Sequence, residues 1–332
     1  MGSSGTSSLA AGTPPVFAAL FRLAAGEAGV LTFARFMEIA LYHPAVGYYR
    51  RRGPRVGYGR GTDFFTASTS GPVFGELIAA ACLDLLGPQN PRDYTFVEIG
   101  AESSAGILAG VAHPFGSVRI IGVADALELS GRCIVFSNEL FDAQPFHRYV
   151  FRRGEWRELG VSLQNDTLRE VEMAPGTPAT LPVVAREGQI FDAPAAAAKL
   201  AARIAAQPWQ GLFVACDYGR TFQELAENHP SGTARAYYRH TQSNDLLARP
   251  GEQDLTCHVC WDWLGESLGR HGFQEIAVES QEAFFVHHAA DHLARTTMAD
   301  AAGFTRRKLS LLQLLHPSHL GQKFQVLHGI RR

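Results

Sequence analysis

The sequence predicts an α/β protein with a Rossmann-like sheet, an N-terminal helical cap and an inserted β-rich subdomain. The first observation is the apolar run of residues 94–100, which precedes a turn of small residues and then apolar residues at Ile107, Leu108 and Val111. This order is typical of the strand, turn and helix start of a nucleotide-binding unit. The second observation is the run of residues 134–142, which ends in polar side chains. Parallel strands would bring both ends to one crevice.

Composition limits the class of protein. The chain has 332 residues and 46% hydrophobic content, which is enough for a sizeable core. Thirty basic against 32 acidic residues give a net charge of −2, so no overall positive field favours nucleic acid. No run of about 18 apolar residues predicts a membrane span. Of the five cysteines, Cys82, Cys133 and Cys216 lie in apolar patterns, which favours buried thiols and a reducing, cytoplasmic setting.

The first 93 residues are predicted to contain a tail, a helical cap and a loop. Residues 1–15 are rich in small residues and are expected to form a flexible tail, and residues 16–93 form the cap and loop. Thr32 is expected to cap a helix that ends near residue 43, and Pro72 begins a second helix that ends at Gly87. Residues 47–71 between them are rich in glycine and arginine. This loop is either a solvated connection or a lid over a ligand.

The remaining chain is divided into a core, residues 94–145 and 194–332, and an insertion, residues 146–193. The insertion is predicted from a hairpin that turns at residues 153–154 and from a strand at 167–172, because antiparallel strands do not fit a series of βα crossovers. We expect it to face the substrate. Predicted core strands lie at 117–123, 132–137, 211–217, 273–279 and 323–328, and predicted helices at 195–206, 261–270, 281–295 and 305–315. A late antiparallel strand suits a mixed sheet.

Several motifs along most of the chain match one known family. They are YHPAVGYY (42–49), GTDFFTA (61–67), FGEL (74–77), FVEIG (96–100), SNELFDAQP (137–145), DYG (217–219), YYRH (237–240) and PGEQDLTCHV (250–259). Together they resemble the MidA-like S-adenosylmethionine-dependent methyltransferases, whose mitochondrial members methylate an arginine during respiratory complex I assembly.

The resemblance implies S-adenosylmethionine as cofactor, an arginine of a protein as substrate, and a set of site residues. The cofactor-binding residues would be Glu98, Gly100, Gly106, Asp125, Asp63 and Thr66. The catalytic residues would be Glu139, Asp142 and Asn138. A guanidinium is a poor nucleophile while its charge is delocalised, and the two carboxylates would hold it and localise that charge. The other interpretation of residues 137–142 is a capped helix N-terminus.

The sequence departs from the family pattern at two places. Glu102 and Ser104 stand where the second and third glycines of the cofactor turn would be. Asn138 lies only 38 positions after Gly100, so one strand-helix unit is expected to be missing. Asp125 could then contact the adenine, take over the ribose contact, or be a turn residue. These departures leave open a non-catalytic relative that serves as a binding or assembly scaffold.

No metal site is expected. Cys257 and Cys260 have a metal-like spacing, but there is no second pair and the segment is apolar. A dehydrogenase motif is also missing, because the turn after residue 99 does not have the G-x-G-x-x-G pattern.

Overall fold

The computed structural model describes residues 12–51, 71–101, 103–173, 180–299 and 305–332. Residues 1–11 of the predicted tail lie outside these ranges, and the first helix already begins at Pro15. The α-helices of the described residues are α1 (Pro15–Ala25), α2 (Phe33–Tyr42), α3 (Pro72–Leu86), α4 (Ala195–Ala205), α5 (Phe222–Asn228), α6 (Trp261–Arg270), α7 (Gln281–His288), α8 (Ala290–Ala299) and α9 (Arg306–Leu315).

The strands supply one large sheet, a second sheet and small pairings. They are β1 (Val30–Thr32), β2 (Thr95–Ile99), β3 (Ser117–Ile121), β4 (Gly131–Asn138), β5 (His147–Arg152), β6 (Glu155–Gln164), β7 (Thr167–Glu172), β8 (Ile190–Ala193), β9 (Trp209–Asp217), β10 (Gly219–Arg220), β11 (Arg235–Tyr238), β12 (Thr241–Ser243), β13 (Asp254–Thr256), β14 (Val259–Cys260), β15 (Gln274–Ser280) and β16 (Gln325–Arg331).

The large sheet has the predicted Rossmann-like arrangement. Its strand order is β15-β16-β9-β4-β2-β3, and β3, β2, β4 and β9 are parallel. Ile99 at the end of β2 lies opposite Ile121 of β3 and Ser137 of β4. The late strand β16 is antiparallel to both of its neighbours, as predicted. The chain leaves β2 first to one side and then to the other, which creates a topological switch point at the carboxyl ends of these strands.

Both faces of the central strands β2, β4 and β9 are covered, because successive apolar side chains point to opposite faces of the sheet. Phe96 and Phe136 contribute to a core that also contains residues of α3, α7 and α9. Val97 and Val135 contribute to a second core, which contains residues of α4 and α6. This burial on both sides is what near-continuous apolar strands in a parallel sheet require.

The helix predicted after Gly100 is wrong. In the described residues of 100–116 the chain forms turns without a helix, and residues 122–130 also contain none. The apolar side chains Leu108 and Val111 still pack into the core beside α3. A side chain at Gly75 of α3 would lie 2.1 Å from the backbone oxygen of Ile107, so this glycine lets α3 approach the turn closely. Because these connections are short, the sheet ends at β3, in agreement with the predicted missing unit.

The predicted insertion builds its own sheet together with the N-terminal segment. Strands β5 and β6 form the predicted hairpin, and β1 joins β6 antiparallel, with Leu31 opposite Val161. Phe33 of α2 stacks on Phe146 with ring centroids 5.0 Å apart. Helices α1 and α2 therefore share a core with the insertion. Thr32 caps α2 as predicted, since its hydroxyl accepts the Arg35 N–H at 3.1 Å.

The single helix predicted for residues 281–295 is two helices, α7 and α8, with Ala289 between them. Among the described residues, no helix has the length and apolar character needed to cross a membrane.

Candidate active site

A cavity of about 1420 Å³ opens at the switch point of the large sheet. Its walls include the ends of β2, β3 and β4, helix α4, and β11 and β13. Small-molecule pockets typically measure about 300–1,000 Å³, so this cavity has room for a cofactor and a substrate group together. The predicted residues Glu98, Gly100, Gly106 and Asp125 all line it. Asp63 and Thr66 lie outside the described residues, as do the rest of loop 52–70 and Glu102.

Glu98 braces the turn that follows β2. Its buried side chain accepts the Ile107 N–H at 2.7 Å through Oε2. Gly106 sits directly above this carboxylate at φ +68°, and a Cβ there would lie 2.5 Å from Glu98 Oε2. Gly100 also has a positive φ, +77°, and its N–H donates to the Ile121 carbonyl at 2.8 Å. These hydrogen bonds hold the turn in place beside the cavity. Direct contact of these residues with the cofactor stays a prediction.

Asp125 holds the turn that follows β3. Its carboxylate accepts the Gly122 N–H at 2.8 Å, and its backbone N–H donates to the Gly122 carbonyl at 3.1 Å. This contact agrees with the turn interpretation. Since β3 lies directly beside β2, the same exposed side chain also lines the cavity one strand away from Gly100. Its contact with ribose or adenine stays a prediction.

The predicted catalytic residues follow β4. Glu139 and Asp142 line the cavity, whereas Asn138 is buried behind them and does not appear among the described lining residues. Asn138 Nδ2 donates to Glu139 Oε1 at 3.2 Å. Asn138 therefore positions Glu139. The helix N-terminus considered for this segment is wrong, because residues 139–146 form turns, starting with Glu139 at φ +50°.

Asp217, at the end of β9, supports this turn in place of a helix. Its buried carboxylate accepts the Phe141 N–H at 2.8 Å and the Asp142 N–H at 3.3 Å through Oδ2, and the Tyr218 N–H at 2.8 Å through Oδ1. Burial raises the pKa of Asp217 even though these N–H donors oppose the shift. The sequence contains only a weak signal for this role, a polar residue at a strand end.

Asp142 has an incomplete set of hydrogen-bond partners. Its side chain is 4% exposed, and Oδ1 has no hydrogen-bond partner among the described residues. Burial raises the pKa of Asp142 well above its ordinary value, and the charges of Asp217, Glu139 and Asp254 raise it further. A buried carboxylate among other carboxylates is stabilised by a cation with hydrogen-bond donors.

Tyrosines from the N-terminal segment also line the cavity. Tyr42 donates its hydroxyl to the Ala143 carbonyl at 2.7 Å, and Tyr49 donates to Asp254 Oδ1 at 2.8 Å. Their rings stack with centroids 5.4 Å apart. Sequence reasoning assigned these tyrosines no role, although both belong to the YHPAVGYY motif. The cavity thus combines carboxylates with aromatic walls, a composition suited to a cationic group.

His258 is a further lining residue whose protonation the surroundings fix. Burial, with the charges of Arg220, His229 and Arg235, lowers the pKa of His258 to about 3. The ring is therefore neutral, and its buried Nδ1 has no hydrogen-bond partner in the described part of the chain. The backbone N–H of His258 donates to Thr233 Oγ1 at 3.1 Å.

Comparison with known proteins agrees with this fold. A family model described as "Putative S-adenosyl-L-methionine-dependent methyltransferase" matches residues 74–277, which is more than half of the chain. The chain belongs to this family of S-adenosylmethionine-dependent methyltransferases. The resemblance to MidA-like enzymes is thereby confirmed, with S-adenosylmethionine as the cofactor.

Individual relatives cover nearly the whole chain. The "Protein arginine methyltransferase NDUFAF7, mitochondrial" of Danio rerio is 23% identical over 90% of this chain and 82% of its own. The protein of the same name from Mus musculus is 23% identical over 91% of this chain and 83% of its own. A Burkholderia thailandensis protein solved with S-adenosyl-homocysteine is 24% identical, with a TM-score of 0.83 over 95% of this chain and 92% of its own. The last likeness shows the shared fold.

Proposed function

We propose that this methyltransferase acts on the guanidinium of an arginine in a protein. The observation that carries the proposal is the buried Asp142 carboxylate, which lines the cavity with Oδ1 unpartnered in the described residues and lies near the charges of Glu139 and Asp254. A guanidinium supplies positive charge and several N–H donors in a fixed plane, so it can donate to Asp142 Oδ1 and offset the negative charges around that carboxylate. The names of the two vertebrate relatives support the same substrate class.

The proposed mechanism rests on two acids that line the cavity, Glu139 and Asp142. When bound, the cofactor supplies an electrophilic methyl group on a sulfonium. Glu139 and Asp142 hold the substrate guanidinium and localise its charge away from the nitrogen that attacks. Methyl transfer to that nitrogen would release one proton from it. Asp142 accepts this proton, because its raised pKa makes it a stronger base than an ordinary carboxylate.

Protein extract from cells lacking the gene, incubated with the enzyme and methyl-labelled cofactor, provides the test. After hydrolysis we expect label in methylarginine. Glu139→Gln and Asp142→Asn should each reduce incorporation by about 100-fold or more, because each removes a charged partner of the guanidinium. Cofactor affinity should stay unchanged in both variants. Glu227→Gln, at an exposed position on α5, is the matched control and should behave as wild type.

The same measurements separate the alternatives. Label in another amino acid would overturn the arginine assignment while leaving the methyltransferase intact. Cofactor binding without any incorporation would favour the non-catalytic scaffold. Full turnover in both variants would move the active site away from the turn after β4.

A reducing compartment also stays a proposal, supported by five cysteines that form no disulfide. The two vertebrate relatives carry the word mitochondrial in their names.

A further inference from the structure

Three histidines surround a glutamate at the edge of the large sheet, outside the cavity. This histidine cluster consists of Glu279, His287, His288 and His328. Glu279 of β15 pairs with Val326 of β16, and His328 stands two residues further along β16. Side chains two residues apart on a strand project from the same face, so Glu279 and His328 are diagonal neighbours. His287 and His288 end helix α7, which follows β15 directly.

The spacing of the cluster matches metal coordination. Glu279 Oε1 lies 3.2 Å from His288 Nε2 and 3.2 Å from His328 Nε2. One ligand atom from each of these three residues lies within 4.8 Å of the other two. Zinc–nitrogen and zinc–oxygen distances of about 2.0–2.1 Å place tetrahedral ligands about 3.3 Å apart. The two separations from Glu279 Oε1 are close to that value.

The hydrogen bonds of His288 give an independent reason for a cation. Its Nδ1 lies 2.8 Å from Asp84 Oδ2 on α3, while its Nε2 faces Glu279. A neutral ring that donates its proton to Asp84 directs the Nε2 lone pair at a carboxylate oxygen. Either a second proton or a metal ion between Nε2 and Oε1 removes this repulsion. A carboxylate on the far nitrogen is also the usual partner of a metal-bound histidine.

The surroundings of the cluster are shielded but reachable. The side chains of His328, Glu279 and His288 are 8%, 18% and 19% exposed. The Phe284 ring packs against His288 and His328, with centroids 5.3 and 5.6 Å away. His287 contacts the second oxygen of Glu279 and is largely exposed, so it marks the side from which an ion would enter.

We propose that the histidine cluster binds a zinc-class divalent cation through Glu279 Oε1, His288 Nε2 and His328 Nε2. Asp84 orients His288 from behind, and the ion ties α7 and α3 to the edge of the sheet. The proposal differs from the sequence-based expectation of no metal site, which considered only the cysteine pair. It does not depend on the substrate of the methyltransferase.

The test uses full-length protein freed of any purification tag and treated with a chelator. Titration with Co²⁺ should give one equivalent with the intense visible absorption of four-coordinate cobalt, and Zn²⁺ should displace it. His328→Gln should weaken Zn²⁺ binding by about 100-fold or more, and Asp84→Asn by about tenfold. The control is His316→Gln, because His316 and His319 form an exposed pair with centroids 5.3 Å apart. That change should leave Zn²⁺ affinity unaltered.

Several results would overturn the proposal. One is the absence of the cobalt absorption in the wild-type protein. This result would mean that the cluster is a histidine–carboxylate hydrogen-bond network without an ion, and it requires no variant. Another is Zn²⁺ affinity that responds equally to His328→Gln and to the exposed control. A melting temperature of the wild type that Zn²⁺ fails to raise would have the same meaning, because an ion bound only to the native state must stabilise it.

Discussion

Replacing Gly106 by alanine tests how the Glu98 carboxylate supports the turn after β2. Gly110 of the same loop is a matched control. Both glycines have left-handed φ values, +68° and +71°. A Cβ at Gly106 would lie 2.5 Å from Glu98 Oε2 and 2.9 Å from Ile120 Cδ1, whereas a Cβ at Gly110 would meet nothing within 4 Å. The two substitutions therefore share the backbone strain and differ only in the contact with Glu98 and Ile120.

The magnitudes follow from these two contributions. An L-residue in the left-handed region costs about 1–2 kcal/mol, and both variants lose this amount of stability. In Gly106→Ala the buried Glu98 carboxylate must also move away from the Ile107 N–H. A hydrogen bond to a charged group contributes about 1.5–3 kcal/mol. We therefore expect Gly106→Ala to lower the free energy of unfolding by about 2.5–5 kcal/mol, against about 1–2 kcal/mol for Gly110→Ala.

Urea denaturation measures the unfolding free energies, and calorimetric titration measures cofactor affinity. Gly106→Ala should weaken S-adenosylmethionine binding by about tenfold or more, since the displaced turn lines the cavity, while Gly110→Ala should retain near wild-type affinity. Equal losses of stability in the two variants would refute the supporting role of the Glu98 carboxylate. Unchanged affinity in a destabilised Gly106→Ala would show that the turn is structural and does not contact the cofactor.

Three further predictions concern other parts of the chain. Thr221→Ala removes the capping box in which the Thr221 hydroxyl and Glu224 bond reciprocally at the start of α5, and it should lower the urea midpoint by the equivalent of about 1 kcal/mol; an unaltered midpoint would contradict the cap. Burial raises the pKa of Cys260 to about 12 and shields the other four thiols, so a thiol reagent should label five cysteines only after denaturation; rapid labelling of native protein would contradict this. The family pattern has a glycine of the cofactor turn at position 102, so Glu102→Gly should tighten S-adenosylmethionine binding by about tenfold in calorimetry if the wild-type charge faces the cofactor carboxylate; equal affinity would mean that the side chain points outward.

The sequence predicts the sheet well because the local pattern of apolar residues along a strand indicates that the strand is buried. Strands β2 and β4 and helices α3 and α6 lie where their apolar patterns place them, and β7 has the predicted bounds. The prediction fails after Gly100, where apolar residues at helical spacing form no helix. Gly106 and Gly110 take left-handed conformations there, and Gly75 brings α3 onto the turn. Tertiary contact with α3 determines the conformation of this segment, and the local spacing of apolar residues does not reveal that contact.

The segments that complete the cavity come from distant parts of the chain. Tyr42 and Tyr49 stand more than 90 residues before Ala143, and Asp254 more than 110 residues after it. No spacing rule connects such positions. Only the family motifs marked these stretches as related, without giving the direction of any side chain. The hydrogen bonds from Tyr42 to Ala143 and from Tyr49 to Asp254 show how the N-terminal segment closes the site.

Hydrogen-bond accounting separates two aspartates that look alike in the sequence. Asp142 and Asp217 each follow or end an apolar strand, and both are buried. Both oxygens of Asp217 accept backbone N–H groups, so the hydrogen bonds of this carboxylate hold the turn. Asp142 retains a buried oxygen without a partner in the described residues and lines the cavity. Such an oxygen is costly unless a ligand supplies the missing donor. That oxygen is therefore the acceptor on which the proposed guanidinium site rests, and Asp217 fixes the turn that holds it there.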